Sequence, residues 1–210
     1  MGFFPPGFRV DSAEWINILT SILAISLSLT FATGGMGIEP AYFVFLIAVF
    51  GITVGTGFLL HELAHKYVAI KFGCRAKFQA WAAGLVLMLA LAIVPQLMGW
   101  GRWPLFLAPG AVMIYSARMI SSRENGIISA AGPVTNLLLA AVFFSLSLPF
   151  GGVVGVILLF GAYANMMLAT FNLLPIFPLD GVKVITWNWK IWLLMFGISI
   201  LGTGAIGLGL

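Results

Sequence analysis

The chain has 210 residues, 61% of them hydrophobic and only 8% charged. A soluble domain carries about 25% charged residues, so this composition excludes one and indicates an all-α polytopic membrane protein. A single cysteine, Cys74, rules out an internal disulfide and a cysteine-rich metal site.

In chain order, Met1 to Ser12 has two prolines and no apolar core ending in small residues, so it reads as a short cytoplasmic lead and not a signal peptide. Ser12 is the expected N-cap of the first helix. A crossing needs about 20 apolar residues, and the first span runs near Ile16–Thr33. After a loop at 34–40, the second starts near Ala41 and continues towards Phe72. Arg75 to Trp81 alternates and predicts a strand. Ala82 to Val94 is apolar but stops at Pro95. It is too short for a full span and reads as a re-entrant or membrane-associated segment. Gly99, Gly101 and Pro104 break the chain, and Leu105 to Tyr115 is β-prone. Ser121 to Asn125 opens the third span, about Ile127–Leu148, which has Pro133 inside it. The fourth runs about Val153–Leu174 and ends in a Pro175–Pro178 turn, and the fifth about Ile191–Leu210. No polar stretch is long enough to fold apart, so 1–210 is expected to be one domain.

The positive-inside rule orients these spans. With five spans, an inside N-terminus and a re-entrant 82–98, all ten Lys and Arg fall on the cytoplasmic side or at its edge. A full crossing at 82–98 would strand Arg102, Arg118 and Arg123 outside. The same bias explains the net charge of +4 without a nucleic-acid partner.

The chemistry lies in His61-Glu62-Leu63-Ala64-His65, which holds both histidines of the chain. Histidines at i and i+4 share one helix face, and neutral imidazoles so placed can clamp one zinc ion. Glu62 lies about 100° round the helix, where it can take a proton from an attacking water. Chance core histidines would be the alternative, but ionisable groups in so apolar a stretch are costly. A catalytic zinc needs a third ligand. Glu124, Cys74 and Asp180 are the candidates. Asp180 is favoured, since it follows two prolines at the end of the fourth span, at the depth of the histidines.

His61-Glu62-Leu63-Ala64-His65, then Ala131-Gly132-Pro133-Val134-Thr135-Asn136, then Asn172-Leu173-Leu174-Pro175 to Pro178-Leu179-Asp180-Gly181 together resemble the site-2 protease family of intramembrane zinc metalloproteases. The resemblance covers a catalytic core of about 41–181. It implies one zinc per chain held by His61, His65 and Asp180, with Glu62 as general base. It also implies a β-hairpin after the first motif, and substrate contacts from Asn136 and Asn172. Where many members have Asp-Gly-Gly, this chain has Asp180-Gly181-Val182. The implied activity is hydrolysis of a peptide bond within or near a transmembrane segment of a membrane-protein substrate. The site would lie in the membrane of the cell, towards the cytoplasm. No PDZ-like or nucleotide-sensing domain is expected. The rival is a zinc transporter or other metal-handling membrane protein, but that predicts polar residues spread over several spans and an internal repeat, neither of which is seen.

Overall fold

The computed structural model of the chain describes residues 5–101 and 109–208. Arg102, Pro104 and the first four residues of the expected 105–115 run lie outside the described residues. Among the described residues, five helices are long and apolar enough to cross a membrane: Ser12–Gly34, Pro40–Lys71, Ser122–Ser147, Gly152–Asn172 and Trp189–Gly207. The chain divides into two compact units. One takes the described residues of 1–9, 57–76 and 114–210, and the other takes 10–56 and 77–113.

The second unit begins with helix α1 (Ser12–Gly34). Its N-cap is Asp11, one residue before the expected Ser12. The Asp11 carboxylate accepts the backbone N–H of Glu14 at 2.8 Å and forms an ion pair with Lys77 Nζ at 2.6 Å, for which a serine carries no charge. Buried Glu14 accepts the N–H of Phe78 at 3.0 Å. Helix α2 (Pro40–Phe50) is capped by Glu39, whose carboxylate takes the N–H groups of Ala41 and Tyr42. It runs into a π-helical turn at Gly51–Gly55. A side chain at Gly55 would meet Ile22 at 2.7 Å, so glycine lets α1 pack closely there. Helix α4 (Ala82–Leu97) packs on α1, carries Pro95 in its last turn and ends two residues beyond that proline, where the sequence suggested a stop. Gln96 fastens this end, donating to Phe31 O and Ala92 O. At 1.5 Å per residue, α4 is about 24 Å long, short of the ~30 Å hydrocarbon core.

Among the described residues the strands are β1 (Arg75–Ala80), as expected, and β2 (Gly110–Tyr115), and they pair in a two-stranded sheet.

The first unit carries helix α3 (Thr56–Lys71), which ends at Gly73 with φ +78°, a conformation suited to glycine. Helix α5 (Ser122–Ser147) starts with a capping box: Ser121 Oγ accepts from Glu124 N, and the Glu124 carboxylate accepts from Ser121 N. Helix α6 (Gly152–Asn172) packs on α5, the short α7 (Asp180–Trp187) on α5, and α8 (Trp189–Gly207) on α6 and α7. One apolar cluster joins Ala130, Leu173, Val184 and Met195, and another joins Ala69, Cys74 and Ile128.

Exposure along the helices is inverted relative to a soluble protein. On α1, Ile16, Leu19 and Leu23 face out while Ser21, Ser26, Ser28 and Thr30 are buried. On α8, Leu193, Leu194 and Leu201 face out while Ser199 is buried. In water such faces would be costly. In lipid, apolar side chains suit the outside and small polar ones the helix contacts. The chain is therefore a multi-pass membrane protein.

Candidate metal centre

Three side chains from two helices converge inside the first unit. His61 and His65 lie one turn apart on α3, and Asp180 opens α7. The two Nε2 atoms are 3.0 Å apart. Asp180 Oδ2 is 3.0 Å from His65 Nε2 and 3.4 Å from His61 Nε2. Among the described residues these form the group of histidine and carboxylate ligands able to hold a metal ion. The site is nearly closed: His61 keeps 4% of its exposure and His65 8%, and the Asp180 side chain keeps 12%.

The far side of each imidazole fixes its proton. His61 Nδ1 faces Asn136 Oδ1 at 2.5 Å, and His65 Nδ1 faces the carbonyl of Ile128 at 2.7 Å. Both partners can only accept, so both Nδ1 atoms carry hydrogen. In the neutral rings each Nε2 then presents a lone pair. Two lone pairs and a carboxylate oxygen thus meet within 3.4 Å. One proton can bridge a single edge of that triangle, whereas a dication serves all three. With metal–ligand bonds of about 2.0–2.1 Å, tetrahedral geometry sets ligand separations near 3.3 Å, so the spacing fits zinc.

Room for the ion comes from Gly132 on α5. A Cβ there would lie 2.4 Å from His61 Nε2 and 2.5 Å from His65 Nε2. Gly181 does the equivalent for the carboxylate. A Cβ there would strike Leu173 O at 2.2 Å, so any side chain would push the first turn of α7, and Asp180 with it, off the end of α6. Asp180 Oδ2 faces the two imidazoles. Its second oxygen faces Lys183 Nζ at 3.6 Å.

Glu62 is buried beside His61 on α3. The other ligand candidates are elsewhere. Glu124 is bound to Arg118 and to its own helix cap, and Cys74 is packed against Ala69 and Ile128. Asn172 is half-buried on the last turn of α6, its Nδ2 donating to Leu168 O at 3.0 Å. Asn136, expected near substrate, is fully buried, and its Oδ1 is spent on His61. Its Nδ2 donates to Gly57 O at 3.2 Å and to Asn165 Oδ1 at 2.9 Å. Sequence reasoning passed over Asn165 and gave Gly132 no role of its own. Asn165 did carry a signal, as an amide inside an otherwise apolar span.

Comparison with known proteins agrees with this geometry. The chain is 40% identical over 197 residues, 93% of its length and 94% of the relative's, to a protein of Methanocaldococcus jannaschii named "putative zinc metalloprotease MJ0611". The chain belongs to the site-2 protease family of zinc metalloproteases. Further relatives under the same description are YwhC of Bacillus subtilis and Rip3 of Mycobacterium tuberculosis. YwhC is 32% identical over 64% of this chain and 66% of its own, and Rip3 is 28% identical over 85% and 40%. No protein-family model matches the chain, and no solved structure does. None of these names supports the transporter reading.

Proposed function

We propose that the chain is an HExxH-type zinc endopeptidase that hydrolyses a peptide bond within or near a transmembrane segment of a membrane-protein substrate. The observation that carries this is the meeting of two bare Nε2 atoms and one carboxylate oxygen within 3.4 Å, in a buried pocket next to a glutamate. In this reading His61, His65 and Asp180 hold one zinc, and Glu62 does not touch it. Zinc, when bound, supplies Lewis acidity, polarising the scissile carbonyl and lowering the pKa of a water towards about 7.

Glu62 acts as general base: it takes the proton of the attacking water and hands it to the leaving nitrogen. Asn136 serves the reaction by holding His61, and Asn172 is the proposed substrate contact. A substrate helix hides its carbonyls in its own hydrogen bonds, so it must unwind locally before attack. Residues 1–210 act as one metalloprotease domain with a core at about 41–181. The concentration of Lys and Arg in loops assigned to one side supports a cytoplasmic N-terminus and a site in the membrane towards the cytoplasm.

The test uses purified protein in lipid vesicles with a single-span peptide. Cleavage should stop on adding a chelator and return with zinc. Zinc flux without cleavage would replace this reading with the transporter.

A further inference from the structure

Asn165 touches neither of the histidines, yet it stands at the head of a hydrogen-bond chain that ends on one of them. It is fully buried in α6. Its Nδ2 donates to Gly161 O at 2.9 Å, a backbone carbonyl that can only accept. That orients the amide, leaving Oδ1 for Asn136 Nδ2 at 2.9 Å. Asn136 must therefore offer its nitrogen to Asn165 and Gly57 O, and its own oxygen to His61 Nδ1. Oxygen there admits only the Nδ1–H form of the ring, which leaves Nε2 bare towards His65 and Asp180. The approach of α6 is built for this contact, since a Cβ at Gly57 would lie 2.4 Å from Asn165 Oδ1.

We infer that Asn165 is a positioning residue that fixes, through Asn136, the tautomer and ring orientation of His61 as a metal ligand. The inference rests on the metal-site reading above. Its logic is that outer partners of a ligating histidine govern its basicity and orientation, and their loss typically costs 10–100-fold in metal affinity. His65 is held instead by the carbonyl of Ile128, so Asn165 acts on one ring and not the other.

The test compares Asn165→Val with Asn165→Thr in the full chain in detergent. The two side chains share a shape and differ in the hydroxyl. On a helix a threonine hydroxyl donates to the i−4 carbonyl, as Thr30, Thr53 and Thr170 do here. At position 165 that carbonyl is Gly161 O, and the oxygen could still accept from Asn136. The chain has two histidines, so ¹⁵N-histidine labelling reports on His61 and His65 alone.

The valine variant should bind zinc at least about tenfold more weakly. Its metal-free His61 should leave the pure Nδ1–H form while His65 keeps it. The threonine variant should stay near the unmodified protein in both readouts. If valine prevents folding, the Asn165→Ala and Asn165→Ser pair makes the same comparison. Equal zinc affinity within either pair, or equal changes in both histidine spectra, overturns the inference and leaves the metal site standing. Absence of zinc binding in the unmodified chain overturns both.

Discussion

Gly132 contributes no functional group, and the candidate metal centre depends on it. Its missing Cβ would occupy the space between the two Nε2 atoms and the far wall of the site. Gly132→Ala should therefore lower zinc affinity at least about tenfold, as damage to the surroundings of a ligand does, with little change in helix content. Titration of the metal with a chromophoric chelator reads this, and unchanged affinity would contradict the geometry. The third ligand has its own comparison. Asp180→Ala should lose zinc, because two histidines leave the site underligated. Glu124→Ala should keep zinc, since Glu124 serves Arg118 and a helix cap. The reverse pattern would make Asp180 the wrong ligand. At this scale the sequence was legible where spacing is local. His61, Glu62 and His65 declare themselves at i, i+1 and i+4, and Asp180 by the prolines before it. The roles of Gly132 and Asn165 did not, because they are set by a side chain 29 positions away along the chain or by an ion-sized space between helices.

Among the elements, the spans were readable because lipid rewards unbroken apolar length, and their ends moved only by a few residues. The start of α1 is instructive. Ser12 was the expected cap, and the cap is Asp11, whose carboxylate also forms an ion pair with Lys77 from β1. The hydrogen bond from Lys77, and then the N–H of Glu14, hold the Asp11 carboxyl below the usual value. A carboxyl lowered on folding stabilises the folded state above its unfolded pKa of about 3.9. That contribution fades as the pH falls through the folded value. Asp11→Asn keeps a capping oxygen and removes the charge. Its melting temperature should lie slightly below that of the unmodified protein at pH 7, and the gap should close in acid. A gap independent of pH would mean the pair contributes nothing electrostatic. Helix α4 was harder to read from composition. A proline ends some helices, but in the last turn it removes only one late hydrogen bond, and here Gln96 ties that end to Ala92 and Phe31.

At the scale of the whole molecule, the proposed orientation of the spans rests on where the basic residues lie. If 82–98 enters and leaves on the cytoplasmic side, single cysteines at Ser116 and Ser122 in a Cys74→Ala background should resist an impermeant thiol reagent added outside oriented vesicles. Labelling there, with a cysteine at Lys71 protected, would mean that the segment crosses fully. The two elements that carry the candidate ligands lie more than a hundred residues apart in sequence, with His65 on α3 and Asp180 on α7, and the fold brings these side chains within 3.0 Å. That convergence implies peptide hydrolysis only if the glutamate beside it acts on water and not on the metal. The decisive measurement is zinc content and peptide cleavage on the same preparations of the unmodified chain and Glu62→Gln. The account predicts about one zinc per chain in both, as a three-ligand site requires. It predicts cleavage lowered by roughly 10²–10⁴-fold in the variant, the span expected for loss of a general base. A variant that cleaves at the unmodified rate, or that loses its zinc as a histidine variant would, contradicts it.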